Sequence, residues 1–154
     1  MAKDSEIVDF DQRDTDELVR MWRASFEFGM GMSDPHPLEQ QTAFLHQRLV
    51  PAYHVRVARK DGRIVGFLAS DAESIAQLYV AVEHIGQRLG TQLLSLAKDE
   101  SRGSLWLFTF LRNERACRFY EGRGFVPVAN GFELTWRLPD VKYQWTAEGR
   151  GPLV

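Results

Sequence analysis

The feature that most constrains this chain is a change of period in its middle. Ile75 to Val82 is predominantly apolar, as a buried strand is, and it leads into Glu83-His84-Ile85-Gly86-Gln87-Arg88-Leu89-Gly90. Beyond that run Leu89, Leu93, Leu94 and Ala97 recur at helical spacing and mark a helix packed on the sheet. A strand that turns through glycine into a helix leaves the first helical N–H groups without partners and aims the positive end of the helix dipole at the turn, so an anion fits there. Gly86 and Gly90 admit close backbone approach, while Gln87, Arg88 and Thr91 add side-chain donors. The same run also serves as a plain strand-to-helix connection, and by itself it leaves both readings open.

The surrounding elements follow from local signals. Ile7, Val8 and Phe10 form a short strand run, and Asp14-Thr15-Asp16-Glu17 places an N-cap acceptor three residues ahead of a glutamate, a capping-box pattern that opens a helix. That helix carries Leu18, Trp22, Ser25 and Phe26 on one stripe and is expected to end near Phe28, before Gly29 and Gly31. A second helix is expected from Pro37 to about Leu49, stopped by Pro51. Two antiparallel strands then flank the turn Lys60-Asp61-Gly62. Leu105 to Phe110 reads as a strand, and Asn113 caps a helix bearing Ala116, Cys117 and Tyr120, closed by Gly122 or Gly124 as a left-handed cap. Phe125 to Val128, a turn at Asn130-Gly131, and Phe132 to Leu138 are expected to form a last hairpin, with Pro139 ending regular structure.

Length and charge exclude several classes. With 154 residues the chain fits one domain, 1–154, with a core over about 6–138 and a tail over 139–154. Nineteen basic against 21 acidic residues give a formal charge of -2, which provides no broad field for nucleic acid or an anionic membrane surface, so any anion is bound locally. Cys117 is the single cysteine, which rules out an internal disulfide and suits a reducing cytoplasm, the expected location. No apolar run has membrane-spanning or signal-peptide length, and His36, His46, His54 and His84 are too scattered to suggest a metal site.

Two stretches resemble the signatures of the GNAT superfamily of N-acetyltransferases. Leu78-Tyr79-Val80, followed by Gly86-Gln87-Arg88-Leu89-Gly90-Thr91, is similar to the family's acetyl-CoA signature, an Arg or Gln, two residues, Gly, one residue, then Gly or Ala. Asn113, Ala116, Phe119-Tyr120-Glu121 and Gly124-Phe125 are similar to its C-terminal signature. With the element order the resemblance covers roughly Glu6 to Leu138. Ile85 and Arg88 depart from the pattern, where Arg or Gln and Gly are preferred, and Val82 replaces a common Pro. Arg88 brings a cation to the diphosphate, provided its backbone avoids the region that favours glycine.

The resemblance implies an α/β fold of α+β type: a mixed, mostly antiparallel central sheet of six to seven strands with about four helices on its two faces. It implies an enzyme that moves an acetyl group from acetyl-CoA, as cosubstrate, to a primary amine by direct attack in a ternary complex, the amine lying on a small molecule or a peptide. The alternative is an acetyl-CoA-binding regulatory module without turnover. The cofactor residues implied are Val80, Ala81, Val82, Gly86, Gln87, Arg88, Leu89, Gly90, Thr91, Asn113 and Ala116, with the Val80 N–H at the thioester oxygen. Tyr120 matches the family's acid: a phenol of pKa about 10 protonates a leaving thiolate without a large mismatch. The base is less defined, because Ser74 stands where some relatives carry glutamate; Glu73, beside it, is the candidate, acting through water. Phe26 to Met32 lies where the family forms its acceptor wall, with Glu27 or Asp34 to attract a cation. Many relatives pair, so a homodimer is possible, with Trp136, Tyr143 and Trp145 as its aromatic contact.

Overall fold

The computed structural model describes residues 5–147. Its order is β1 Glu6–Asp9, α1 Thr15–Met30, α2 Leu38–Phe44, a π-helical turn Leu45–Leu49, α3 Val50–Ala52, β2 His54–Lys60, β3 Arg63–Ser70, β4 Ile75–Val80, α4 Leu89–Glu100, β5 Ser104–Phe110, α5 Glu114–Glu121, β6 Val126–Glu133 and β7 Leu138–Thr146. The strands form an antiparallel sheet β1-β2-β3-β4 and a second antiparallel sheet β5-β7-β6. This is the mostly antiparallel α+β architecture that the resemblance implied. No helix among the described residues is long and apolar enough to cross a membrane.

Strand alternation sorts the side chains between two layers. Phe67 and Ala69 of β3 pack with Leu18, Val19 and Trp22 of α1 and with Leu45 and Leu49. Leu68 meets Leu93, Leu94 and Ala97 of α4 on the opposite face, in a core that continues through Leu105, Leu107, Tyr120, Phe125, Val141 and Tyr143 of the second sheet. Each of the fully buried leucines Leu93 and Leu94 contributes about 2 kcal/mol of apolar transfer energy, enough to hold α4 in place without favourable capping.

Three local expectations are corrected by tertiary contacts. Asp14 makes no cap bond for α1; the capping box closes one turn earlier, between Asp11 and Asp14, and the Glu17 carboxylate instead accepts the Ile64 N–H at 2.6 Å. The first helix runs two residues past Phe28 and ends on Gly31 in a left-handed cap. Pro51 does not stop the second helical segment, because it occupies the first turn of α3, where its missing N–H costs nothing.

The largest correction concerns the C-terminal region. Asn130 and Gly131 lie inside β6, paired with Val141 and Asp140, and the chain reverses over 134–137, where Arg137 takes φ 55° and the Glu133 carboxylate accepts the N–H groups of Thr135 and Trp136. Gly131 is small for contact, since a Cβ there would stand 2.6 Å from the Asp140 Oδ1. Pro139 and the segment after it are strand β7, which inserts between β5 and β6 and buries Val141 and Tyr143, so the region from 139 to 146 is core and not tail. Of the aromatics assigned to a dimer contact, Tyr143 is buried, while Trp145, packed on the core, and Trp136, whose ring lies 5.1 Å from that of Phe26, stay partly exposed.

Candidate active site

Among the described residues the backbones of the two sheets are bridged where β4 and β5 begin. Ser74 and Trp106 form a parallel bridge, and the Trp106 N–H donates to the Glu73 carbonyl at 3.1 Å. Beyond that point the strands diverge, opening a cleft of about 600 Å³. Ladder parity decides which backbone groups face it. The Ala81 N–H donates to the Val65 carbonyl at 2.8 Å, and Gly66 opposes Val80, so Val80 is a non-hydrogen-bonded pair member whose N–H and C=O point away from β3. Its carbonyl accepts the Ser25 hydroxyl at 2.8 Å, while its N–H faces the cleft. The same parity turns Leu78 toward the cleft, giving a second amide about 7 Å along the strand. The sequence reading named Val80 and missed Leu78, although strand alternation carried the signal.

At the wide end of the cleft the chain passes through a 3₁₀ turn at Val82–His84 and Gly86 into α4. Arg88 is the N-cap of α4 and supplies no side-chain acceptor, there is no acid in the first turn, and the first intrahelical bond runs from the Gln92 N–H to the Arg88 carbonyl. The N–H groups of Leu89, Gly90 and Thr91 therefore lack intrahelical partners at the positive end of the dipole. Arg88, Arg115, Arg118 and Arg123 line the same cleft, which reinforces its affinity for an anion.

Arg88 departs from the sequence expectation. It adopts φ 67° and ψ 7°, the left-handed conformation that favours glycine and that costs an ordinary L-residue about 1–2 kcal/mol. Replacement by glycine removes that cost but adds about 0.4–1 kcal/mol of unfolded-chain freedom. Arg88→Gly is accordingly expected to gain about 0.5–1 kcal/mol, read calorimetrically as a Tm higher by about 1–4 °C, while weakening anion binding through loss of a cation.

Across the cleft Asn113 caps α5, its Oδ1 accepting the Ala116 N–H at 3.1 Å, as the sequence indicated. This places Ala116, Phe119 and Tyr120 along the wall. Tyr120 is 7% exposed, its ring held among Phe119, Phe125 and Tyr143 with centroid separations of 5.1, 5.4 and 6.3 Å, and its hydroxyl has no hydrogen-bond partner among the described residues. Burial, with a smaller contribution from Tyr79, pushes its pKa well above the ordinary phenol value. Tyr79, also in the cleft wall, is pushed by burial up to about 12.

Of the residues named from sequence, Val80, Gly86, Arg88, Gly90, Thr91, Asn113, Ala116 and Tyr120 come together in this cleft. Ala81, Val82, Gln87 and Leu89 do not line it; the Ala81 amide is bound to Val65 and the Leu89 side chain is buried in the core. Glu73 lies outside, two-thirds exposed and paired with Arg102 at 3.1 Å, and no carboxylate belongs to the described lining. The carboxylates expected to attract a cation are engaged: Glu27 accepts the Asp34 N–H at 2.7 Å, and Asp34 pairs with Arg23 and His36. Sequence reasoning missed Ser25, His84, Arg115, Arg118 and Arg123, which converge here from α1, the turn after β4, and α5 with the residues beyond it.

Solved structures of similar fold include PaiA N-acetyltransferase from Thermoplasma acidophilum in complex with coenzyme A (16% identity, 94% of this chain, 99% of that chain, TM-score 0.75). YjaB from Escherichia coli in its apo form matches at 18% identity over 94% of this chain and 99% of that chain, with TM-score 0.79. YncA from Salmonella typhimurium with acetyl-CoA matches at 17% identity over 99% of both chains, with TM-score 0.69. No curated protein sequence matches the chain. The model of the acetyltransferase (GNAT) family matches residues 15–125, well over half of the chain and spanning the whole of the cleft just described, and the protein therefore belongs to the GNAT family of N-acetyltransferases.

Proposed function

We propose that this protein transfers the acetyl group of acetyl-CoA to a primary amine, on a small molecule or a peptide, by direct attack within one ternary complex. One observation carries the reading: a single cleft holds the unpaired amide of Val80, the uncapped positive end of α4 and the unpartnered hydroxyl of Tyr120. These are donors for a thioester oxygen, a diphosphate and a leaving sulfur respectively.

Acetyl-CoA supplies an activated acyl carbon and a good leaving group. The chain's part is to bind and to move protons. The amides of Leu89, Gly90 and Thr91, with Arg88, hold the diphosphate. The Val80 and Leu78 N–H groups fix the carrier's extended arm and receive the negative charge that develops on the thioester oxygen as the amine attacks. The N–C bond forms, the C–S bond breaks, and Tyr120 gives its phenolic proton to the departing sulfur, to be reprotonated from water. No carboxylate belongs to the described lining, so the proton lost by the amine passes to solvent or to His84, which lines the cleft.

That same lining favours one competing reading, a module that binds acetyl-CoA without turnover. Both readings expect ligand stabilisation: coenzyme A at about 100 times its Kd adds about 2.7 kcal/mol, or roughly 5–10 °C of Tm for a chain of this size. No shift at saturation would remove both. Release of free thiol from acetyl-CoA in the presence of a panel of amines, amino acids and peptides separates them, since only the enzyme gives amine-dependent release.

A further inference from the structure

Thr91 stands in the first turn of α4, and its hydroxyl is held in an unusual way. Its Oγ1 accepts two hydrogen bonds from one guanidinium, from Arg123 Nε at 3.1 Å and from Arg123 Nη2 at 2.9 Å. A hydroxyl oxygen has two acceptor positions and one proton. With both acceptor positions occupied, Thr91 can only donate, and its proton finds no acceptor among the described residues. The residue lines the cleft beside the free amides of the α4 N-terminus.

Arg123 is itself immobilised. Its Nη1 donates to the Phe119 carbonyl at 3.0 Å, and its guanidinium stacks 4.0 Å from the centroid of the Phe119 ring. It forms no ion pair with a carboxylate among the described residues, so its positive charge is spent on a neutral hydroxyl at the rim of an anion site. An arginine so placed has two effects on Thr91: it orients the O–H toward the cleft, and it polarises that bond, making the proton a stronger donor.

We propose that Arg123 is a positioning residue for the carrier's phosphates, acting through Thr91, so that the pair selects the phosphorylated half of coenzyme A over the pantetheine arm. The inference rests on the acetyl-CoA reading above. It concerns a residue of α4 and one just beyond α5 that meet only in the folded chain, and it assigns Arg123 a role in recognition and not merely in tying the end of α5 to α4.

The test compares two probes, coenzyme A by titration calorimetry and pantetheine, which lacks the diphosphate, by ligand-observed NMR into the millimolar range. Loss of one charge-assisted hydrogen bond is expected to weaken coenzyme A about tenfold in Arg123→Met and in Thr91→Val, with pantetheine changed less than twofold. Thr91→Ser, which keeps the hydroxyl, is expected to retain the wild-type ratio of the two affinities. The double variant is expected to lose little beyond either single one, because each disables the same donor. An unchanged ratio in Thr91→Val, or additive losses in the double variant, would overturn the proposal while leaving the acetyl-CoA reading intact. Equal weakening of both probes would reduce Arg123 to a structural tie and overturn it likewise. Failure of the wild-type protein to bind coenzyme A at all would strike the acetyl-CoA reading, and this inference with it.

Discussion

Tyr120→Phe is expected to lower kcat for acetyl transfer by about 10²- to 10³-fold, within the range that a positioned general acid contributes, and to leave the Kd for coenzyme A within twofold of wild type. The split follows from placement. The hydroxyl makes no hydrogen bond to the described residues, so its removal leaves no protein group unsatisfied, while the ring that fills the core beside Phe125 and Tyr143 is retained. Stability should therefore hold, and the loss should fall on the step in which a proton reaches the leaving sulfur. Burial also fixes the sign of the pH dependence. Since the Tyr120 pKa is raised in the folded protein, the phenol stays protonated through and beyond the range in which alkylamines lose their protons, near 10.4. Wild-type kcat/KM is expected to climb with pH toward the acceptor's own pKa with no descending limb below pH 10. A wild-type profile that falls between pH 8 and 9, or a phenylalanine variant of full activity, would take the acid's role away from Tyr120.

The second large effect is expected at Gly90. A Cβ at this position would stand 3.1 Å from Phe119 Cε1 and 3.3 Å from Cζ. Alanine requires the ring to yield by a few tenths of an ångström, which a side chain at a cleft wall does easily. Valine adds two methyl groups beside Phe119, and is expected to displace the ring on which Arg123 is stacked at 4.0 Å. The free amides at the start of α4 shift with it. Displacing two donors to a charged ligand, each contributing about 1.5 kcal/mol or more, corresponds to about 100-fold in affinity. Calorimetric titration should show coenzyme A binding about 100-fold weaker to Gly90→Val and within threefold of wild type for Gly90→Ala. Tight binding by the valine variant would mean that the helix start is not where the phosphates sit.

What could be read from the chain follows the range of the interaction. Asp61-Gly62 turns as read, with φ of 52° and 76°, because two adjacent residues contain everything that turn needs. Asn113 caps α5 through a bond to a residue three positions away, and the apolar period of α4 declares its buried face. Asn130-Gly131 carries an equally strong local signal and fails, because the strands that compete for β6 are decided elsewhere: β7, which buries Val141 and Tyr143, finds both β5 and β6 as partners and pulls the dipeptide into the ladder. Glu73 is the base candidate only because it stands beside Ser74, and Asp71 captures the amides of Glu73 and Ser74 in a turn while Arg102, 29 residues on, holds the Glu73 carboxylate outside. The pairing of Arg123 with Thr91 spans 32 residues and has no local trace at all.

By itself, then, the amino-acid order determined the succession of strands and helices, the glycine-bearing turn that opens α4 and the presence of a phenol on the helix opposite, since each depends on contacts within about a dozen residues. Folding in three dimensions alone decided which amides of β4 are free, how far β4 parts from β5, where Glu73 points and which arginine governs Thr91. The physical reason is that an unpaired backbone group or an unneutralised charge is defined by what fails to reach it, and distant segments settle that only when they pack.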